Sequence, residues 1–289
     1  MPRTPRSLKL GYITSGFRDH ALPDAFSILA ELGYAGVGLT LDVGHLDPMR
    51  SSREEVLRVR DDLRRFGLAI VVETGGRYIL DPRRKHWPSL VSAEGRERRI
   101  DFYRRAIEIA EALGSRVVSL WSGAQDPALG RDESFGLLVE GLRLVERCAR
   151  ERGIMIGFEP EPGMLVGDLE AYRELRSRLS GDEMPALKLT LDVGHLQCTE
   201  EPPHARWIRE FAADLANVHL DDVKGRMHEH LPFGEGEIDF PPVLRALEEI
   251  DYSGLALVEL GRHSHEAPKQ AERAIKALRR HVSPSSLAR

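Results

Sequence analysis

Eight short runs of branched aliphatic residues punctuate the chain, and each is followed by a longer stretch in which apolar residues recur every three or four positions. The runs are LKLGYIT from Leu8, GVGLTL from Gly36, LAIVVE from Leu68, RVVSLW from Arg116, IMIGFE from Ile154, LKLTLD from Leu187, ANVHLD from Ala216 and LALVEL from Leu255. Nearly continuous apolar runs suit parallel strands buried on both faces, and spacings of three and four suit amphipathic helices packed over them. EEVLRVRDDLRRFG, RERRIDFYRRAIEIAEALG and QAERAIKALRRHV are three such helical stretches. Gly33, Gly67, Gly114 and Gly153 each close a helical stretch just before a strand, the expected place for a C-terminal cap. Eight strand-then-helix units predict one α/β domain over residues 1–289, a closed (β/α)8 TIM barrel, a fold that uses about 250 residues. A doubly wound sheet would carry a glycine-rich fingerprint after its first strand, and TSGFRDHAL has none.

Charge and composition exclude several classes. The net charge is −5 and the arginines are spread through the helical stretches, which leaves no electrostatic footprint for nucleic acid. No apolar run approaches the roughly 20 residues of a membrane span, and MPRTPRSLKL lacks the apolar core of a signal peptide. The expectation is a cytoplasmic protein without membrane or nucleic-acid partners. Cys148 and Cys198 have neither metal-type spacing nor the numbers for a disulfide framework.

The ends of the last four strands carry the chemistry. Glu159 in IGFEPEPG, Asp192 in LTLDVGH, His219 in NVHLDD and Glu259 in LALVELG each close a strand. A buried strand end bears such a group at a cost of several kcal/mol unless it is paired or coordinated. For any one residue a hydrogen bond to a neighbouring loop suffices. Four in succession at one barrel mouth point to a divalent cation, and three carboxylates with one imidazole favour Mn²⁺ or Mg²⁺, with Co²⁺ or Zn²⁺ as alternatives. His195 follows Asp192 by three positions, and His228 and His230 form an HEH segment after strand seven. In an extended segment that spacing points both imidazoles to one side, giving either a second metal site, substrate contacts or a solvated polar loop. Strand three ends in Glu73, a candidate substrate contact, and its long loop brings Arg77, Arg83, Arg84, Lys85 and His86, a set suited to a phosphate or carboxylate or to plain solvation. Trp121 ends strand four, as a wall for a sugar ring or as a cap on the core.

LTLDVGHL occurs twice, at Leu39–Leu46 and Leu189–Leu196. The flanks share nothing, so the pair is not read as a duplication. The copies end strands two and six, on opposite walls of the barrel. The expectation is that Asp192 touches metal, while Asp42 and His45 contact substrate or serve only as a strand end.

From FEPEPG through LTLDVGHL, NVHLDDVKGR, HEHLPFGEGEIDF and YSGLALVEL, the chain resembles the xylose-isomerase-like barrel superfamily of sugar phosphate isomerases and epimerases, which includes endonuclease IV. The resemblance implies Glu159, Asp192, His219 and Glu259 as metal ligands, with His195 as the histidine that relatives place after the aspartate. It implies a sugar or polyol substrate (ketose, inosose or sugar phosphate) whose proton beside the carbonyl is removed through an enediolate, with Glu159 and Glu259 as the catalytic acid and base. A metal-dependent dehydratase or lyase begins with the same proton abstraction and is the alternative. A non-catalytic sugar-binding barrel would need no such pair of glutamates. Ketose epimerases carry an arginine where this chain has Gly225, so Lys224 or Arg226 is the candidate replacement. The histidines that endonuclease IV needs after strands three and four are missing, which argues against DNA repair. A homo-oligomer is compatible with the sequence but not specified by it.

Overall fold

The computed structural model describes residues 8–179 and 184–282. The N-terminal heptapeptide, part of the stretch judged for a signal peptide, lies outside the described residues. Eight strands, β1 (Lys9–Ile13), β2 (Gly36–Thr40), β3 (Ala69–Glu73), β4 (Val117–Leu120), β5 (Met155–Phe158), β6 (Leu187–Asp192), β7 (Leu215–Leu220) and β8 (Leu255–Val258), close into a parallel barrel in sequence order. The fold is the (β/α)8 barrel, and every predicted run supplies one strand.

The helices are α1 (Leu22–Glu31), α2 (Arg53–Phe66), α3 (Arg96–Leu113), α4 (Arg131–Glu151), α5 (Leu169–Ser177), α6 (Val193–Thr199), α7 (Ala205–Glu210), α8 (Phe240–Glu249) and α9 (Ala267–Arg279). Their apolar stripes face the strands: α4 buries Phe135, Leu138, Leu142 and Val145 completely, each worth about 1.5–3 kcal/mol. Helix α2 starts in a capping box in which Ser52 and Glu55 satisfy each other's backbone N–H, and it stops at Gly67, whose φ of 67° suits glycine. Two helices differ from the expectation. ARWIREFAADL, whose apolar spacing predicts a helix over residues 205–215, is helical only to Glu210. Helix α6 was not read from the sequence: the Asp192 carboxylate accepts the N–H of His195 and starts a helix directly on the strand end.

Inside the barrel two layers are stacked. Ile13, Val71, Val117, Ala216, Leu255 and Leu257 pack together as an apolar plug, distinct from the larger core between strands and helices. Above it, toward the strand C-termini, the interior turns polar. Ser119 bonds Thr190 at 3.0 Å, and Asn217 of β7 donates to Glu73 of β3 at 2.8 Å across the barrel. This upper layer is the floor of the site. Among the described residues no helix is long and apolar enough to cross a membrane.

Candidate active site

Backbone pairing carries two carboxylates one residue past their strands. The N–H of Glu159 donates to Leu120 at 2.8 Å and that of Glu259 to Leu220 at 3.0 Å, so both residues are held as strand extensions. Asp192 is fixed by its capping bond and His219 by its place in β7. One ligand-type atom from each of Glu159, Asp192, His219 and Glu259 lies within 4.8 Å of the others. His219 Nδ1 sits 3.2 Å from Glu159, 3.2 Å from Glu259 and 3.7 Å from Asp192. Its Nε2 lies 3.1 Å from Glu73.

This arrangement fits a divalent ion. Three carboxylates face one ring nitrogen while a fourth holds the other, which is the way a metal-ligating imidazole is oriented. Asp192 Oδ2 is buried and has no hydrogen-bond donor among the described residues. Without an ion the negative charges are managed by protons. Burial pushes Glu159 up to about 8, against the pull of His219. Burial also acts to raise Glu259, but His230 and His219 outweigh it and hold that carboxyl down at about 2. His219 is raised well above its ordinary value: burial opposes its charge, and Glu73 and Glu159 overcome that opposition.

A second cluster adjoins the first. His228 Nε2 lies 3.0 Å from His195 Nε2 and 2.8 Å from His230 Nε2. His195 Nδ1 donates to the carbonyl of Pro160 at 3.0 Å, and His230 Nδ1 pairs with Asp221 at 2.9 Å. His195, its Nδ1 proton spent on Pro160, keeps a lone pair on Nε2, whereas burial opposes a charge on His230 but Asp221 and Glu259 outweigh it and hold that ring up at about 10, with a proton on Nε2 as well. His228 Nε2 can accept from His230 or donate to His195, and either choice leaves the other contact unsatisfied. A cation held by the three nitrogens relieves that conflict. The two histidines of HEH do share a side, but not through an extended chain. His230 has φ of 51°, and the Asp222 carboxylate fixes the loop by accepting the N–H groups of Val223, Gly234, Gly236 and Ile238. Gly194 is needed beside this cluster, because a Cβ there would stand 2.3 Å from Asp221 Oδ1.

Both clusters open into a cavity of about 560 Å³, lined at its floor by Glu73, Glu159, His195, His219 and Glu259 and at its walls by Arg77, Trp121, His228 and His230. Trp121 is buried and meets His86 edge-on at 5.1 Å. Asp42 lines the cavity beside Val43 and Gly44. His45 turns away, its Nε2 lying 3.2 Å from the carbonyl of Phe17 and 3.3 Å from that of His20. Lys224 is exposed and Arg226 pairs with Glu201 and with the carbonyl of Cys198; neither lines the cavity. The loop after β3 is anchored by the buried Arg99, which donates to the carbonyls of Pro88 at 2.7 Å and His86 at 3.0 Å.

The model of the xylose isomerase-like TIM barrel family matches residues 26–281. The chain belongs to that family. An uncharacterized protein of Methanocaldococcus jannaschii, MJ1311, is 30% identical over 184 residues, which span 60% of this chain and 60% of that protein. An inosose dehydratase of Clostridium beijerinckii is 28% identical over 145 residues, 44% of this chain and 47% of the enzyme. Both alignments therefore cover less than two thirds of the relative. L-ribulose-5-phosphate 3-epimerase UlaE of Salmonella heidelberg is 23% identical over 267 residues, 89% of this chain and 90% of the enzyme. The crystal structure of a D-tagatose 3-epimerase-like protein shares the fold at 23% identity with a TM-score of 0.76, covering 94% of this chain and 99% of that one.

Within this family barrel, four charged residues of the cavity and clusters are not marked out by the sequence analysis. Glu161 and Asp221 each lie two positions beyond a candidate strand-end ligand, in FEPEP and VHLD, where alternation returns a side chain to the same side. That signal was available. Arg18 and Arg262 line the cavity from the loops after β1 and β8, and nothing in their local sequence marks them.

Proposed function

We propose that the protein is a divalent-metal-dependent sugar isomerase or epimerase that moves a proton beside the carbonyl of a ketose, inosose or sugar phosphate. The observation that carries this reading is the convergence of Glu159 and Glu259 on His219 Nδ1, each at 3.2 Å, with Asp192 beside them. Glu159, Asp192, His219 and Glu259 would hold the ion, with Mn²⁺ or Mg²⁺ favoured over Co²⁺ or Zn²⁺ for so oxygen-rich a set. The chemistry the ion supplies is stabilisation of the negative charge that develops on the carbonyl oxygen.

The chain's own residues do the rest. Glu159 from β5 and Glu259 from β8 would flank the substrate as the proton-transfer pair, one taking the proton beside the carbonyl and the other returning it. Return of the proton to the opposite face gives epimerisation, and return to the neighbouring carbon gives isomerisation. Trp121 and His86 close one wall and limit water. His195, His228 and His230 are proposed as the ligands of a second ion, three neutral imidazoles suiting a softer metal such as Zn²⁺ or Co²⁺.

A dehydratase is the second reading, favoured by Glu161, a cavity carboxyl that burial and the charge of Glu259 push up to about 7. It would stand ready to protonate a departing hydroxyl. Incubating the Mn²⁺-loaded protein with ketoses and inososes in D₂O, followed by NMR, separates the two: exchange without loss of water supports the epimerase, and exchange with loss of water supports the dehydratase. Glu159→Gln and Glu259→Gln proteins that keep their metal should exchange about 10²–10⁴-fold more slowly. Unchanged exchange would overturn the reading.

A further inference from the structure

The cavity has two electrostatic ends. Its floor carries the carboxylates of Glu73, Glu159 and Glu259, from β3, β5 and β8, with Glu161 close by. Its rim carries four cations from three other loops: Arg18 after β1, Arg77 and Lys85 after β3, and Arg262 after β8. The barrel runs β8, β1, β2, β3 without interruption, so these cations form an arc on one wall, shared with Asp42 after β2 and with Glu73 and Glu259 at the strand ends, whereas Glu159, Asp192 and His219 come from β5, β6 and β7.

Elsewhere the exposed arginines are commonly paired. Arg178 bonds Asp132 and Glu174, Arg131 bonds Glu174, and Arg209 bonds Glu249. At the rim this pattern fails. The side chains of Arg18, Arg77 and Lys85 make no hydrogen bond and no ion pair with any described residue, and Arg262 spends one N–H on the carbonyl of His228 while standing 4.0 Å from Glu229. Partial burial, reinforced by the charges of Arg18 and Arg262, holds the Arg77 guanidinium below its usual range against the pull of Tyr78 and Glu259. Like charges gathered so closely, three of them without a hydrogen-bonded partner, in a chain of net charge −5 make a place suited to an anion.

We propose that this arc binds the phosphate monoester of the substrate, so that the reactive sugar end lies over the carboxylate floor and the phosphate lies against Arg18, Arg77, Lys85 and Arg262. The inference rests on the proposed sugar chemistry for the orientation of the substrate, and on the unpaired cations for the anion. A phosphate monoester carries close to two negative charges at neutral pH and offers three acceptor oxygens, which matches guanidinium forks better than one carboxylate does. A neutral ketose would leave Arg18, Arg77 and Lys85 without a hydrogen-bonded partner, so the site should discriminate against it. Arg18 and Arg77 are exposed and hold no structural contact, which makes them safe to remove.

The test uses the Mn²⁺-loaded full chain with four probes: inorganic phosphate, D-fructose, D-fructose 6-phosphate and a hexuronate. Calorimetry should show D-fructose 6-phosphate binding at least tenfold more tightly than D-fructose, with the difference shrinking as salt rises from about 0.05 to 0.3 M. In the Arg18→Ala, Arg77→Ala double variant that preference, and the binding of inorganic phosphate, should fall at least tenfold while Mn²⁺ content and melting temperature stay unchanged. Equal binding of the two sugars, tighter binding of the hexuronate, or phosphate binding that survives both substitutions and so belongs to the metal would each overturn the proposal. Solvent deuterium exchange, read in parallel, reports on the reaction separately: phosphate binding lost in the variant without exchange into any sugar leaves the anion arc standing and removes the isomerase reading.

Discussion

Asp192 accepts the backbone N–H of His195 at 2.8 Å, and in the other copy of LTLDVGHL Asp42 accepts that of His45, also at 2.8 Å. The octapeptide thus encodes one local turn, used twice. What differs is where each histidine points. His195 Nε2 meets His228, whereas His45 Nε2 meets the carbonyls of Phe17 and His20. The strand that carries the turn, and not the turn, assigns the chemistry.

Asp42 and Asp192 should therefore separate cleanly in metal content. Asp192→Asn is expected to lower bound Mn²⁺ at least tenfold after dialysis, because it weakens a proposed ligand whose Oδ2 accepts no hydrogen bond from a described residue. Asp42→Asn should bind metal as the wild type does. Elemental analysis of the two purified variants decides the matter, and equal losses would place both aspartates on the ion.

Glu73 faces a comparable choice. The sequence offered it as a substrate contact, yet its Oε1 lies 3.1 Å from His219 Nε2 and accepts from Asn217 at 2.8 Å. A carboxylate in that position orients the ring and raises the basicity of Nδ1. Glu73→Gln should lower metal affinity by roughly 10–100-fold. A direct substrate contact would instead raise KM and leave a metal titration unmoved.

The barrel was legible because eight buried parallel strands each leave an uninterrupted apolar run, and few other folds repeat that run with a helix after it. Glu159, Asp192, His219 and Glu259 were legible for a related reason: a charged residue at the end of an apolar run is costly, so it stands out. Helix α6 was not. Its start depends on the Asp192 carboxylate, whose Oδ1 caps the helix while Oδ2 stays free of hydrogen bonds from described residues, and a strand-end acid in sequence does not show that it caps anything. Lys224 and Arg226 drew notice by their neighbourhood to a motif, but the Asp222-centred loop turns both away from the cavity. Arg18 and Arg262 could not be found in one dimension, since their meeting depends on β8 and β1 being neighbours across the barrel closure.

His228 provides the test of the second ion. With Co²⁺ as the probe, the wild type should take up two equivalents, one in each cluster. His228→Ala should take up one, because it removes the central nitrogen of the imidazole set and leaves Glu159, Asp192, His219 and Glu259 in place. A wild type that saturates at one equivalent would assign His195, His228 and His230 to substrate or to structure.

The protons that manage the site without metal should make stability depend on pH in a defined direction. Glu159 and Asp221 are each pushed up to about 8, by burial above all, with the neighbouring Asp192 raising Asp221 further. In unfolded chain such carboxyls titrate near 4. Between those values the folded protein binds more protons than the unfolded one, so stability falls as pH rises. His219, raised well above its ordinary value, acts in the same sense above about pH 6.5. The metal-free protein should accordingly melt at progressively lower temperature from about pH 6.5 to 8.5. A bound ion takes over the neutralisation and needs those groups deprotonated, so its affinity should rise with pH by up to about tenfold per unit for each proton released. The increase in melting temperature on adding Mn²⁺ should then widen across the same interval. Melting curves with EDTA and with Mn²⁺ at four or five pH values measure both slopes. A metal-induced shift that is flat or shrinking with pH would mean that the ion does not displace the protons of this cluster.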